Sequence, residues 1–369
     1  MSDLQETPAS PDVSGTPGPE DLPPVQPPSA GFIMQLFLIP AIIVAVVIGV
    51  WVLFGKMAGT QKDWGQLVQD LGSENEHRRW RAASGLAHML NADRERFKEM
   101  ETMSVEQRAT MGTAEPLAQN PRIAEELVSL FDKQLEKKSK DGEHVQYQNF
   151  LAKTLGSLDL PDKVLPSLQK ATEPTYNSAV RSSALQSIAM ILDRADRDER
   201  TIETLDELTA TLIDSTAVDP AEEGASLIRQ TATFALGMVG TDDSASHLVT
   251  LLASADEKTQ VNAAIGLTRL DRTEGVEVFL DILEIAATET FDADAAAKLP
   301  DDERMQARSR YQIEIPMMLN NTLKALDQLA PKLTREEKTQ IATRLKPLAK
   351  SYEQVQLKQM ASDLTAKLN

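Results

Sequence analysis

Apolar and small side chains recur at helical spacing through most of the chain. In the repeated pattern, Arg or Gln is followed three positions later by a small or apolar residue, four positions further by an aliphatic residue, and then by a small one. The second and third positions are four apart and share a helical face, and the last small residue allows a neighbouring helix to approach closely. Five segments match, and they begin at Arg79, Gln148, Arg181, Arg229 and Gln260.

A second apolar segment follows several of these matches after a short break, at residues 164–168, 247–252 and 276–283. Successive matches are 69, 33, 48 and 31 residues apart, and the longest interval leaves room for a degenerate repeat around residues 123–131. Helix pairs at such spacing are typical of a stacked array. The sequence therefore predicts an all-α fold, an α-solenoid of helix pairs, with an ordinary helical bundle as the alternative.

The motif resembles the HEAT repeat superfamily, including the short HEAT-like repeats of phycobilisome lyase subunits. The resemblance covers roughly residues 62–290 and rests on two segments, Arg181-x-x-Ala184 with Ile188-Ala189 and Arg229-x-x-Ala232 with Leu236-Gly237. It implies the solenoid fold and, through the lyase subunits alone, a lyase- or chaperone-like activity. Gln148 and Gln260 replace the usual arginine, so a ladder of contacts between arginine and acidic residues is not expected at those repeats.

Residues 36–55 carry no charged side chain, and twenty apolar residues are enough to cross a bilayer as a helix. The positions that characterise this predicted transmembrane helix are Leu36, Pro40, Gly49, Trp51 and Phe54. Lys56 and Lys62 follow the span, and no Lys or Arg precedes it. Because cations beside a span favour the cytoplasmic side, we expect the N-terminus outside the membrane and the repeat domain in the cytoplasm.

These patterns divide the chain into five regions. The first thirty residues contain eight prolines and five acidic side chains, a composition that predicts disorder. The predicted regions are a disordered tail at 1–30, a transmembrane helix at 31–57, the HEAT-like repeat domain at 58–290, a charged linker or insertion at 291–315 and C-terminal capping helices at 316–369. Within the last region, Thr334 and Glu337 form a predicted capping box, and Pro347 is predicted to close the helix that it opens.

Charge and composition narrow the function. The formal net charge of −18 disfavours binding to nucleic acid, whose phosphates an acidic surface repels. The chain has no cysteine, and its four histidines show no metal-binding spacing. No recognised catalytic or nucleotide-binding motif is present. We therefore expect no enzymatic activity, no cofactor, no metal and no small-molecule substrate.

The remaining candidate chemistry is that of a binding surface. Arg78 and Trp80 lie in a segment rich in residue types common at binding hot spots, and with Arg181 and Arg229 they are the candidate partner-binding residues. Two alternatives stay open, since these side chains could instead brace the repeats or contact lipid headgroups. The sequence favours a membrane-anchored scaffold for an unidentified protein partner. The alternative is an accessory or regulatory subunit of a membrane enzyme or transporter complex.

Overall fold

The computed structural model describes residues 63–104, 115–137 and 141–368, and within them the ordered elements are helices, with no strand. The elements before the charged region are α1 (Trp64–Leu71), α2 (Glu76–Thr102), a 3₁₀ turn (Leu117–Gln119), α3 (Pro121–Glu136), α4 (Gly142–Ser157), α5 (Pro161–Lys170), α6 (Ser178–Arg197), α7 (Leu205–Thr216), α8 (Ala225–Val239), α9 (Asp242–Leu251), α10 (Glu257–Arg269) and α11 (Val276–Thr288). They are followed by α12 (Ala293–Ala296), α13 (Asp301–Ser309), a π-helical segment (Arg310–Glu314), α14 (Ile315–Leu329), α15 (Arg335–Ser351) and α16 (Val355–Leu368). The all-α prediction is confirmed.

Side-chain caps define where many of these helices begin. Each capping side chain accepts a hydrogen bond from a backbone N–H of the first turn, a group that has no partner within the helix. Such caps are Asn75, Asn120, Asp141, Asn177, Thr241, Asp256, Asp292 and Thr334. At Thr334 the predicted capping box is present in full, with Glu337 accepting from the Thr334 N–H at 2.7 Å.

Pro347 does not end the helix that Thr334 opens. Helix α15 continues through this proline to Ser351, so the prediction that Pro347 closes the helix is wrong. An interior proline removes one backbone hydrogen bond and crowds the preceding turn, but its fixed φ of about −65° is compatible with a helix. Burial of Leu345 and Leu348, on either side of the proline, holds this part of α15 against the neighbouring helices.

The main helices lie in two layers. In the first layer α4, α6, α8, α10, α14 and α16 pack each against the next, and Trp80 of α2 contacts α4. In the second layer α1 packs on α3, α3 on α5, α7 on α9, and α11 on α15. Each of α2, α4, α6, α8 and α10 also contacts the helix before or after it in the second layer, or both. All five motif segments therefore lie on first-layer helices.

Small residues set the distance between first-layer helices. A Cβ added to Gly156 would lie 2.5 Å from the Cβ of Ser187, and one added to Gly237 would lie 2.7 Å from the Cα of Gly266. Both distances are too short for a real side chain, so α4 meets α6, and α8 meets α10, almost backbone to backbone. The small residue at the end of the motif, Gly156 or Gly237, has the role that the pattern predicts.

The Arg or Gln that begins each motif segment makes the same kind of contact in all five repeats. The pattern alone does not predict this contact. In each repeat its side chain donates a hydrogen bond to a backbone carbonyl in or just after the last turn of the preceding second-layer helix. The five bonds are Arg79 Nη1 to Ser73 at 3.3 Å, Gln148 Nε2 to Gln134 at 2.9 Å, Arg181 Nε to Thr172 at 3.0 Å, Arg229 Nε to Thr216 at 3.1 Å and Gln260 Nε2 to Ser254 at 2.8 Å. Because the last carbonyls of a helix have no partner within it, this motif contact joins the two helices of each pair.

The predicted extra repeat around residues 123–131 lies within one helix, α3, which packs in the second layer. At the residues predicted to form a charged linker, the structure has α12, α13 and the π-helical segment, which leads without interruption into α14. After the π-helical segment, α14, α15 and α16 continue the two layers. Capping helices were predicted for this part of the chain.

The tail at 1–30 and the transmembrane helix at 31–57, with Leu36, Pro40, Gly49, Trp51 and Phe54, lie outside the described residues. Among the helices of residues 63–104, 115–137 and 141–368, none is long and apolar enough to span a bilayer.

Candidate interaction surface

Trp80 braces the first repeat while keeping part of its ring at the surface. It is half-buried, and its ring meets Tyr147 and Phe150 of α4 edge-on, each with 6.3 Å between ring centroids. Such aromatic contacts stabilise packing beyond the area that they bury. The geometry is that of the bracing alternative, and the partner-binding role of Trp80 stays a prediction.

Arg78 precedes Trp80 by two positions, lies at the surface and makes a different contact. Its side chain is 61% exposed, and its Nε donates to the carboxylate of Asp70 in α1 at 2.7 Å. Asp70 is buried, so this ion pair compensates a carboxylate within the fold. The exposed part of the Arg78 guanidinium remains accessible to a partner or to lipid headgroups.

The structure places Arg181 and Arg229 in the motif contacts rather than at the outer surface. Arg181 is 2% exposed, and it pairs with Glu222 in addition to its bond to Thr172. Arg229 is half-buried and uses a second nitrogen, Nη2, to donate to the Val218 carbonyl at 2.8 Å. Their contacts are those of bracing residues, and the structure does not bring them together with Arg78 and Trp80.

The outward face of the first layer carries exposed apolar side chains that sequence reasoning missed. Met190 on α6 is 46% exposed, and on α8 Leu227 is 49% and Phe234 is 40% exposed. Met190 lies nine positions after the motif Arg181, and Phe234 lies five after Arg229. Positions five and nine after the motif residue are four apart, so they share one helical face. Leu227 lies on the same face as Phe234, because it precedes Phe234 by seven positions. We call Met190, Leu227 and Phe234 the first-layer patch.

Polar contacts join the helices around the first-layer patch. The Arg269 guanidinium of α10 contacts the Met238 sulfur of α8 and lies 3.8 Å from the Asp193 carboxylate of α6. Gln230 accepts a hydrogen bond at its backbone carbonyl from the Asn262 side chain at 2.9 Å. These contacts hold the helices that carry the patch in a fixed register.

Three second-layer helices differ in charge from the first-layer helices that face outward beside them. The second-layer helices α7, α9 and α11 contain no Lys or Arg and carry eight acidic side chains, all exposed. These are Asp206, Glu207, Asp214, Asp242, Asp243, Glu277, Asp281 and Glu284. On α4, α6, α8 and α10, by contrast, the positions five and nine after the motif residue include no acidic side chain. The α7, α9 and α11 part of the second layer therefore presents an acidic surface, whereas these first-layer positions carry no acidic side chain.

Two half-buried titratable side chains lie where helices of different repeats meet. The His247 ring nitrogen Nε2 lies 2.8 Å from the Thr216 hydroxyl, and burial lowers the pKa of this histidine. Burial opposes ionisation of Asp256, but hydrogen bonds from Thr259 and Gln230 outweigh it and lower the pKa of that carboxyl. Within the described residues, no group of three or more His, Asp or Glu is arranged to hold a metal ion.

No family model matches the chain, and no curated protein matches it. Among solved structures, human deoxyhypusine hydroxylase in complex with glycerol is similar at 13% sequence identity over 85% of this chain and 98% of that chain, with a TM-score of 0.29. A similarity this low indicates neither the fold nor the function of the chain.

Proposed function

We propose that the chain is a membrane-anchored α-solenoid of HEAT-like helix pairs that binds a protein partner through its first-layer patch. The exposure of Met190, Leu227 and Phe234 on adjacent helices of one layer supports this proposal most directly. Clustered exposed apolar side chains mark interaction sites more often than scattered ones do. The occupant that fits such a patch is an apolar face of the partner, such as one side of an amphipathic helix.

The membrane span at residues 36–55 gives the patch its location in this proposal. With the N-terminus outside and the repeat domain in the cytoplasm, the anchor confines the patch to a thin layer beside the membrane. A membrane-associated partner then meets it at a raised effective concentration, and modest intrinsic affinity is sufficient. The proposal assigns no catalytic step to this chain.

The acidic surface of α7, α9 and α11 favours one orientation of the partner. The eight acidic side chains of α7, α9 and α11 repel an acidic surface and stay hydrated, whereas the first layer can lose water at lower cost. An apolar partner segment is therefore directed to the first layer. Methionine adapts its shape to different apolar surfaces, which suits Met190 to such a contact.

The test compares recovery of crosslinked partners from solubilised membranes for the natural chain and two variants. Substituting Met190→Asp and Phe234→Asp together should weaken partner recovery by about tenfold or more, the loss expected when a central contact of ~1.4 kcal/mol is removed. Val249→Asp is the matched control, because Val249 is an exposed apolar residue of the second layer. Equal recovery by the double variant and the natural chain would refute the proposed surface.

A second experiment separates the scaffold from an accessory subunit that assembles through its span. Residues 32–56 are replaced by an unrelated transmembrane sequence, and partner recovery is compared again. A scaffold keeps its partners after this exchange, because recognition lies in the repeat domain. A subunit that recognises its complex within the bilayer loses them, and that outcome would favour the accessory role.

A further inference from the structure

A cavity of about 300 Å³ lies where the C-terminal ends of α11 and α15 meet the π-helical segment and the start of α14. Its walls include two tyrosines, Tyr311 and Tyr352, and two glutamates, Glu289 and Glu353. Apolar contact comes from Pro316 and other side chains of the surrounding helices. This part of the molecule is separate from the first-layer patch in sequence, and no step of the proposed function uses it.

The backbone contributes negative potential to the cavity. Helix α11 ends at Thr288 and α15 ends at Ser351, so the last turns of both helices border it. The C-terminal end of a helix carries a partial negative charge, because its last carbonyls have no partner within the helix. Two such ends at one cavity favour a cation.

The charged side chains leave this negative potential only partly compensated. The Arg310 guanidinium donates to Glu289 at 3.0 Å and also to Glu257 at 2.8 Å. One cation is thus shared by two carboxylates, and hydrogen bonds to both glutamates raise the pKa of Arg310. Glu353 is exposed beside the cavity and adds a further negative charge. Lys350 lies in the last turn of α15 but does not line the cavity.

The two tyrosine rings provide surfaces that suit a flat cation. Tyr311 is held by Phe291, whose ring stacks on it with 6.0 Å between centroids and 27° between planes. Burial, the principal cause, and the Glu353 carboxylate raise the pKa of Tyr311, and burial also raises the pKa of Tyr352. Both rings therefore stay neutral at physiological pH, and a neutral aromatic face attracts a guanidinium or ammonium group.

The π-helical segment brings these groups to one place. Its extra residue per turn interrupts the regular course from α13 to α14 and occurs where Arg310 and Tyr311 face different partners. Single π-helical turns within α-helices often coincide with functional sites. Here the segment positions a tyrosine at the cavity and an arginine between Glu257 and Glu289.

We propose that this cavity binds an arginine side chain of the protein partner, with the guanidinium against Tyr311 and Tyr352 and paired with Glu353. A planar guanidinium can stack on aromatic rings and donate two hydrogen bonds to one carboxylate, which the compact ammonium of lysine cannot do. That this arginine belongs to a protein partner rests on the proposed function. That the cavity binds a guanidinium follows from its lining residues and does not depend on the proposed function.

The chain is well suited to a spectroscopic test, because only four tyrosines are present and two of them line the cavity. The full chain, labelled with 3-fluorotyrosine and held in detergent micelles, gives four fluorine resonances. Tyr311→Phe and Tyr352→Phe each remove one and so assign the pair at the cavity. Tyr147 and Tyr176 are internal controls elsewhere in the fold.

The probe is N-acetylarginine amide, and N-acetylcitrulline amide is its uncharged match. The arginine probe should shift the Tyr311 and Tyr352 resonances to saturation and leave those of Tyr147 and Tyr176 in place, while the citrulline probe should not. Glu353→Gln should weaken the arginine response by about tenfold, ~1.4 kcal/mol, with an unchanged circular dichroism spectrum.

Three results would overturn the proposal: no shift of the two cavity tyrosines, an equal response to citrulline, or unchanged affinity in Glu353→Gln. Because this test uses no partner protein, its failure is distinguishable from failure of the first-layer patch. Loss of partner recovery in Met190→Asp/Phe234→Asp together with a silent cavity would leave the patch standing and remove only the arginine site.

Discussion

Replacing Arg181 by alanine should destabilise the fold more than any other single removal of a motif side chain. Arg181 is 2% exposed, and its Nε donates to the Thr172 carbonyl at 3.0 Å. Thr172 is itself buried, so the substitution leaves a backbone carbonyl without a partner in the interior. A hydrogen bond from a charged donor contributes about 1.5–3 kcal/mol to stability. A buried carbonyl that loses its hydrogen bond carries a similar penalty.

The ion pair with Glu222 should contribute much less. The Glu222 side chain is 34% exposed, and water screens its attraction to Arg181. We expect this pair to add no more than about 0.5 kcal/mol. The free energy of unfolding should therefore fall by roughly 2–3 kcal/mol in Arg181→Ala and by well under 1 kcal/mol in Glu222→Gln.

Arg181→Gln separates the two contributions. Gln148 and Gln260 occupy the same position in other repeats and reach the equivalent carbonyl at 2.9 and 2.8 Å. Glutamine at position 181 should therefore keep the motif contact and lose only the ion pair, with a cost below about 1 kcal/mol. Urea unfolding of the full chain in non-ionic detergent, followed by far-ultraviolet circular dichroism, measures all three variants. Equal losses in Arg181→Ala and Arg181→Gln would refute this reasoning, because the hydrogen bond to the carbonyl would then not be the larger of the two contributions.

Three further predictions concern packing, pH and the membrane. Gly237→Ala should lower stability by about 1–3 kcal/mol, because its Cβ would lie 2.7 Å from the backbone of α10, whereas Gly142→Ala enters open space and should be neutral in the same unfolding assay. Burial lowers the pKa of His247 in the folded state. The free energy of unfolding is therefore highest above the unfolded-state pKa of about 6.5, and this stability is lost as pH falls below that value. Thermal unfolding at several pH values should show that His247→Gln reduces this pH dependence. The chain has no cysteine, so Ser14→Cys and Ser351→Cys each create a single thiol; an impermeant maleimide should label position 14 in intact cells and position 351 only after permeabilisation, and the reverse would invert the proposed orientation.

The periodicity of small and apolar residues was sufficient to predict five of the first-layer helices, α2, α4, α6, α8 and α10. All five motif segments lie on them, since residues that recur every three to four positions face a single neighbour. The role of Gly237 also followed from the pattern, because a close approach of two helices requires a residue without a side chain. Its partner Gly266 was not predicted, since that contact depends on the register of α8 against α10.

Features that depend on contacts distant in sequence could not be predicted. Phe234 and Leu236 lie two positions apart on α8, and one is 40% exposed while the other is fully buried; hydrophobicity alone does not distinguish them. Tyr311 and Tyr352 meet at one cavity only because α14 and α15 fold back beside α11. The exposed positions five and nine after the motif residue were the available signal for the first-layer patch, and apolar residues there stand out once the core face is known.

Site-specific photocrosslinking shows whether the first-layer patch contacts a partner protein in the membrane. A photoreactive phenylalanine analogue is placed at position 234 in the first layer or at position 249 in the second layer of the full chain, and native membranes are irradiated. We expect a discrete crosslinked protein from position 234, lost when Met190→Asp is added, and none from position 249. Crosslinks of equal yield from both positions, or only to lipid from position 234, would contradict this expectation.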